Sequence, residues 1–136
     1  MNPTDNEQEV FPAVGTDSSA DRAQRVRAIY QLVDDNDIDA AIALFADDAE
    51  YHRPGQDPLL GAAAIGAFYR SGPPFTKAEH VLSPVLVTGD EAAVRGVFHA
   101  TLPDGTEIEV RFADFFTFDA DNRFTYRESY FFAPPG

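Results

Sequence analysis

An α+β fold is the architecture this sequence predicts, and three observations predict it. Apolar residues recur at three-to-four spacing only in the first half of the chain, the signature of amphipathic helices. From His80 onward the chain reads as strands, separated by the turn pairs Gly89-Asp90 and Asp104-Gly105. The chain has 136 residues, 44% hydrophobic and 24% charged, which suits one globular domain with a core of its own. Helices first and strands afterwards place the helices on one side of an antiparallel sheet.

The elements follow in order. Residues 1–19 carry Asp5, Glu7, Glu9 and Asp17 with no Lys or Arg, and Pro3, Pro12 and Gly15 interrupt them. They read as a disordered acidic tail ahead of a domain over residues 20–136, with docking of the Phe11 segment as the alternative. Ala23, Val26, Ile29, Tyr30 and Val33 mark a first helix, capped by Ser18 or Ser19. Asn36-Asp37 breaks the chain and opens a second helix with the stripe Ile38, Ala41, Ile42 and Phe45, ended by Asp47-Asp48. Ala49 to Arg53 reads as a short strand stopped by Pro54-Gly55. A third helix runs from Ala62 to Tyr69 and ends at Gly72-Pro73-Pro74. Four strands complete the pattern: His80 to Thr88, Ala92 to Leu102, Glu107 to Phe118 and Arg123 to Phe132.

Composition narrows the function. Ten basic against 23 acidic residues give a net charge of −13. That balance argues against nucleic acid and against anionic membranes as partners. With zero Cys, thiolate metal sites and thiol nucleophiles are excluded. The sequence has no glycine-rich phosphate loop and no nucleophile elbow, so the expectation is that no cofactor is used. No apolar run approaches the length of a membrane span and the N-terminus lacks a signal pattern, so the expected location is the cytoplasm.

Asp114 is the most informative position. Along Glu107 to Phe118, one strand face carries Ile108, Val110, Phe112, Asp114, Phe116 and Phe118. A carboxyl among five large apolar residues must be paired or protonated, since burying it ionised and alone is costly. Phe112 and Phe116 beside it are candidate substrate-contacting residues. The three histidines, His52, His80 and His99, show no metal-ligand spacing, so no metal is expected. His52 alternates away from Tyr51 and Arg53. His80 begins a strand, and His99 is either a general base or a surface residue. In the last strand Glu128 or Arg127 reaches the interior, but not both; Glu128 is retained as a candidate.

The segments Asp37-Ile38-Asp39, Ala43-Leu44-Phe45-Ala46-Asp47-Asp48-Ala49, Gly61-Ala62-Ala63-Ala64-Ile65 with Phe68-Tyr69, and Asp114-Phe115-Phe116-Thr117-Phe118 form a further pattern. Together they resemble the ketosteroid isomerase and SnoaL-like polyketide cyclase group of the nuclear transport factor two-like (cystatin-like) superfamily. The resemblance implies a curved antiparallel sheet forming a cone, three helices on its concave side, and one deep apolar pocket. It also implies a homodimer packed through the outer sheet face. Asp114 matches the isomerase position where a protonated Asp donates to the substrate oxyanion. Arg53 falls where the isomerase has its general-base Asp, and Ile29 where it has the oxyanion-hole Tyr, with Tyr30 adjacent. Two of the three isomerase residues are therefore missing, and an Arg cannot take a proton. Arg53 reads either as a clamp on a substrate oxygen or as the ion-pair partner of Asp114 or Glu128. Tyr51 shares a face with Arg53, and Tyr69 matches a pocket tyrosine.

The leading expectation is a small cofactor-independent enzyme of isomerase, cyclase or lyase type. Its substrate is a hydrophobic, oxygenated small molecule, with Asp114, Arg53 and Tyr51 catalytic. Tyr30, Tyr69, His99, Phe112, Phe116 and Glu128 are the expected substrate contacts. The alternative is a non-catalytic ligand-binding or dimerisation module. A third reading, water activation as in the epoxide hydrolases of this fold, needs a second pocket Asp that the sequence does not reveal.

Overall fold

The computed structural model describes residues 13–72 and 74–132. The expected tail therefore lies outside the described residues over 1–12, as does the closing Pro134-Pro135. Helix α1 spans Ala13–Asp34, so it starts before the domain boundary expected at residue 20. Its buried stripe is Val26, Ile29 and Tyr30, as the spacing predicts. It stops where Asn36 takes a positive φ of 59°, and the Asp37 N–H bonds back to the Leu32 carbonyl at 2.8 Å. Near its middle, Arg22 donates to the Asn122 side chain at 2.8 Å and Asn122 donates to Asp21 at 2.7 Å. These bonds fasten the helix to the turn between the last two strands.

Helix α2 (Ile38–Ile42) is shorter than its apolar stripe suggested, because Phe45 opens strand β1 (Phe45–His52) instead. Phe45 pairs with Phe124 in the sheet, with ring centroids 5.1 Å apart, and this tertiary contact overrides the local helical period. A two-residue strand β2 (Leu59–Leu60) precedes α3 (Ala62–Arg70). The strand expected from His80 to Thr88 is two, β3 (Lys77–Leu82) and β4 (Leu86–Thr88). Pro84 lies between them and has no N–H to give a ladder. Strands β5 (Glu91–Thr101), β6 (Glu107–Phe118) and β7 (Phe124–Phe131) complete the described chain.

The sheet order is β2-β1-β7-β6-β5-β3, with β4 also paired to β5. Every pairing is antiparallel except β1 with β7, which is parallel, so the sheet is mixed rather than wholly antiparallel. Nothing local sets the orientation of two strands joined through most of the chain. Helix α1 packs across β3, β4 and β5, α3 packs on β1 and β2, and α2 bridges the two helices. A hollow remains between helices and sheet. One end of it is sealed by Phe45, Phe116, Phe118 and Phe124, each at most 4% exposed. Burying one such ring contributes about 1.5–3 kcal/mol.

Two local features shape the inner face. Gly96 faces Phe112 across the β5–β6 ladder, and a Cβ there would lie 2.6 Å from the Phe112 ring and 2.7 Å from the Val81 carbonyl. In β7 the register slips between Thr117 and Phe118 on its partner, so Phe124 and Arg127 are both buried although they differ in parity. That bulge resolves the open question of the last strand: Arg127 and Ser129 turn inward, and Glu128 turns away. No helix among the described residues is long and apolar enough to cross a membrane.

Candidate active site

The hollow is a cavity of about 870 Å³. Helix α1 gives it Ile29, Tyr30, Val33 and Asp34, and α3 gives Phe68 and Tyr69. The end of β1 gives Tyr51 and Arg53, β6 gives Phe112 and Asp114, and β7 gives Arg127 and Ser129. His80 and Phe98 come from β3 and β5.

Asp114 is 2% exposed and points inward because β6 alternates without a break, pairing Val94 on one side and Ser129 on the other. Its Oδ2 accepts from the Tyr30 hydroxyl and from Arg127 Nη2 at 2.8 Å. Its Oδ1 has no partner among the described residues, nor has Arg127 Nε. Arg127 Nη1 donates to the Tyr69 hydroxyl at 2.5 Å. The guanidinium carbon lies 4.6 Å from the Tyr51 ring centroid, 5.1 Å from Tyr30 and 5.2 Å from Phe116, so aromatic faces help offset its desolvation. Burial alone works against its charge, but Tyr51, Tyr69 and Asp114 around it hold its pKa well above the usual arginine value.

The same burial pushes the Tyr30 and Tyr69 phenols above their ordinary range, with the Arg127 charge opposing the shift. Both hydroxyls therefore keep their protons. Tyr30 spends its proton on Asp114, whereas Tyr69 accepts from Arg127 and donates to no acceptor among the described residues. A second set runs beside this one: Arg53 Nη1 donates to the Tyr51 hydroxyl at 2.7 Å, and that hydroxyl lies 2.9 Å from Ser129 Oγ. Arg53 itself lies against Phe68 and Phe131 at 4.7 and 5.1 Å.

Of the residues expected from sequence, Asp114, Arg53, Tyr51, Tyr30, Tyr69 and Phe112 all line this cavity. Three do not. Phe116 is 1% exposed and packs behind Tyr30 and Phe124, in the core rather than at the wall. His99 lies on the opposite side, 3.7 Å from Glu109. Glu128 accepts from Tyr126 at 2.9 Å on the outward face. The ion-pair partner of Asp114 is Arg127, not Arg53. A second aspartate, Asp34, does line the cavity, and it holds His80. The sequence held a clue to it: Asp34 follows Tyr30 by four residues, on the face that the apolar stripe buries.

A profile of the SnoaL-like domain matches residues 26–127. Solved structures share the fold at low identity. An NTF2-like protein of unknown function from Burkholderia pseudomallei superposes with a TM-score of 0.74 at 20% identity, over 82% of this chain and 90% of that one. SalBIII, an epoxide hydrolase/cyclase-like enzyme with a role in pyran ring formation in the polyether salinomycin, gives 0.73 at 19%, over 83% and 92%. A Mycobacterium tuberculosis protein in complex with estradiol-17beta-hemisuccinate gives 0.70 at 21%, over 80% and 92%.

Proposed function

The chain belongs to the SnoaL-like domain family, and from that premise we propose that it is a small cofactor-independent enzyme doing acid–base chemistry on an apolar, oxygenated molecule. One observation carries the reading: a buried carboxyl, Asp114, lines an apolar cavity with one oxygen fixed by Tyr30 and Arg127 and the other without a partner among the described residues. Oδ1 is the carboxyl oxygen that no described residue engages, which makes it the candidate proton acceptor. The free Tyr69 proton and the Arg53 guanidinium are the donors for a substrate carbonyl oxygen. Proton transfer next to that carbonyl gives isomerisation, cyclisation or elimination, according to the substrate.

The test uses β-tetralone, a two-ring ketone with acidic hydrogens beside its carbonyl. Wild type is expected to speed exchange of those hydrogens in deuterium oxide, and Asp114→Asn to lose that acceleration while still binding the ketone. Binding without any exchange favours a second reading, a ligand-binding module. That reading draws support from the mutual pairing of Asp114 and Arg127 and from the relative that is in complex with a steroid ester. Water activation by an Asp–Arg–Asp trio has less support, since Asp34 engages His80 and not Arg127. The partner expectation also stands as a proposal: Phe115 and Tyr130 pack edge to face at 5.6 Å on the outer sheet face, 47% and 51% exposed, and suit a second copy of this chain.

A further inference from the structure

A second pair of titratable side chains lines the cavity apart from the Asp114 cluster. Asp34 is the last residue of α1, and His80 lies within β3. Asp34 Oδ1 is 2.6 Å from His80 Nδ1, and Asp34 Oδ2 accepts the His80 backbone N–H at 2.8 Å. Both carboxyl oxygens are thus committed to one residue. A carboxylate only accepts, so the Nδ1 proton points at Asp34, and the neutral tautomer that fits this bond has its lone pair on Nε2. Among the described residues no hydrogen bond engages Nε2. Three rings fix the plane of the imidazole: Phe98 at 4.5 Å, Tyr30 at 5.1 Å and Phe112 at 5.6 Å. The His80 side chain is 18% exposed and Asp34 10%, whereas Asp114 is 2% exposed. His80 is thus the more accessible of the two proton-handling groups.

We propose that His80 is a catalytic general base of this cavity and Asp34 its positioning residue, acting on ketones that carry hydrogen beside the carbonyl. The inference rests on the reading of the cavity as an acid–base site. In the step, Nε2 takes the proton from that carbon, the C–H pair becomes a carbon–carbon double bond, and the carbonyl π pair moves onto oxygen as an enolate. Return of the proton to carbon restores the neutral imidazole, and no oxidant or reductant takes part. The Tyr30 ring packs against His80 while its hydroxyl donates to Asp114, so the two groups flank one side chain. Such a pair suits moving a proton between two carbons of one substrate, which is isomerisation.

The experiment compares β-tetralone hydrogen exchange and β-tetralone binding in wild type, His80→Gln, Asp34→Asn and Asp114→Asn, each shown to be folded by circular dichroism. His80→Gln is expected to slow exchange by about a hundredfold with binding retained. Asp34→Asn is expected to slow it less and to shift the His80 tautomer population seen by nitrogen NMR. Exchange in His80→Gln equal to wild type overturns the inference, and if Asp114→Asn alone abolishes exchange, the acid–base reading of the cavity still holds. Exchange that depends on His80 and not on Asp114 supports the inference and overturns the role given to Asp114. No acceleration by wild type overturns both. In wild type, independently of how any variant folds, a proton found on Nε2 of neutral His80 also overturns the inference.

Discussion

Strands β6 and β7 present two unlike faces, and the usual distribution is inverted between them. The inner face buries a charge pair, Asp114 with Arg127, at 2% and 5% exposure. The outer face leaves Phe115 and Tyr130 about half exposed. A buried ion pair is weak evidence for stability, because desolvation offsets much of the attraction. Exposed aromatic rows likewise add little to a monomer. Neither arrangement is what a fold needs merely to hold together. The contrast is the one expected if the inner face carries the proposed chemistry and the outer face the proposed association.

The largest expected effect breaks the inner face. Asp114→Asn leaves Arg127 buried without its counter-charge and should lower unfolding free energy by about 3–5 kcal/mol. Replacing both partners, as Asp114→Leu with Arg127→Met, should recover most of that loss in urea titrations. A single variant no less stable than wild type would remove the contrast between the faces. Next comes the close approach behind the pocket wall. Gly96→Ala puts a methyl against Phe112 and the Val81 carbonyl, and should cost about 1–3 kcal/mol by calorimetry.

The pH dependence sharpens the inner face further. Burial raises the folded-state phenols of Tyr30 and Tyr69 above the ordinary tyrosine value of 10.0. A raised folded pKa gives a contribution that is full below the unfolded value and is lost as pH rises toward the folded one. Stability should therefore begin to fall above about pH 10, where unfolded tyrosines ionise. Tyr69→Phe should lessen that fall, and an unchanged slope would show that Tyr69 is not the group responsible. The smallest expected effect belongs to the outer face. Phe115→Ser should change the stability of the monomer fold by only about 0.5 kcal/mol. Light scattering should nevertheless move from twice the chain's 14.9 kDa toward the single value. A mass of one chain for wild type would leave the exposed rings without the proposed partner.

Much of this was legible in the sequence because it depends on local spacing. The α1 stripe, the Asn36 stop, the turn at Gly105 with its φ of 87° and the alternation of β6 all follow from periods of 3.6 and 2 or from positive φ. Those same periods placed Asp114 among apolar neighbours, and so located the floor of the cavity. The family resemblance placed Tyr69 and Arg53 on the cavity as well. What failed was also systematic. Phe45 left its helix for a ladder with Phe124, and a bulge near Thr125 turned Arg127 inward in place of Glu128.

The sequence by itself determined the fold class, the helix–strand order and the carboxyl that demands a partner, because each is set by residues near one another along the chain. Only the tertiary structure decided who that partner is. Arg127 reaches Asp114 across one strand pairing, Tyr30 reaches it from a helix 84 positions away, and Asp34 meets His80 where α1 crosses β3. Such meetings depend on register, on a bulge and on how a helix crosses a sheet, and a one-residue slip reverses which side chains face inward.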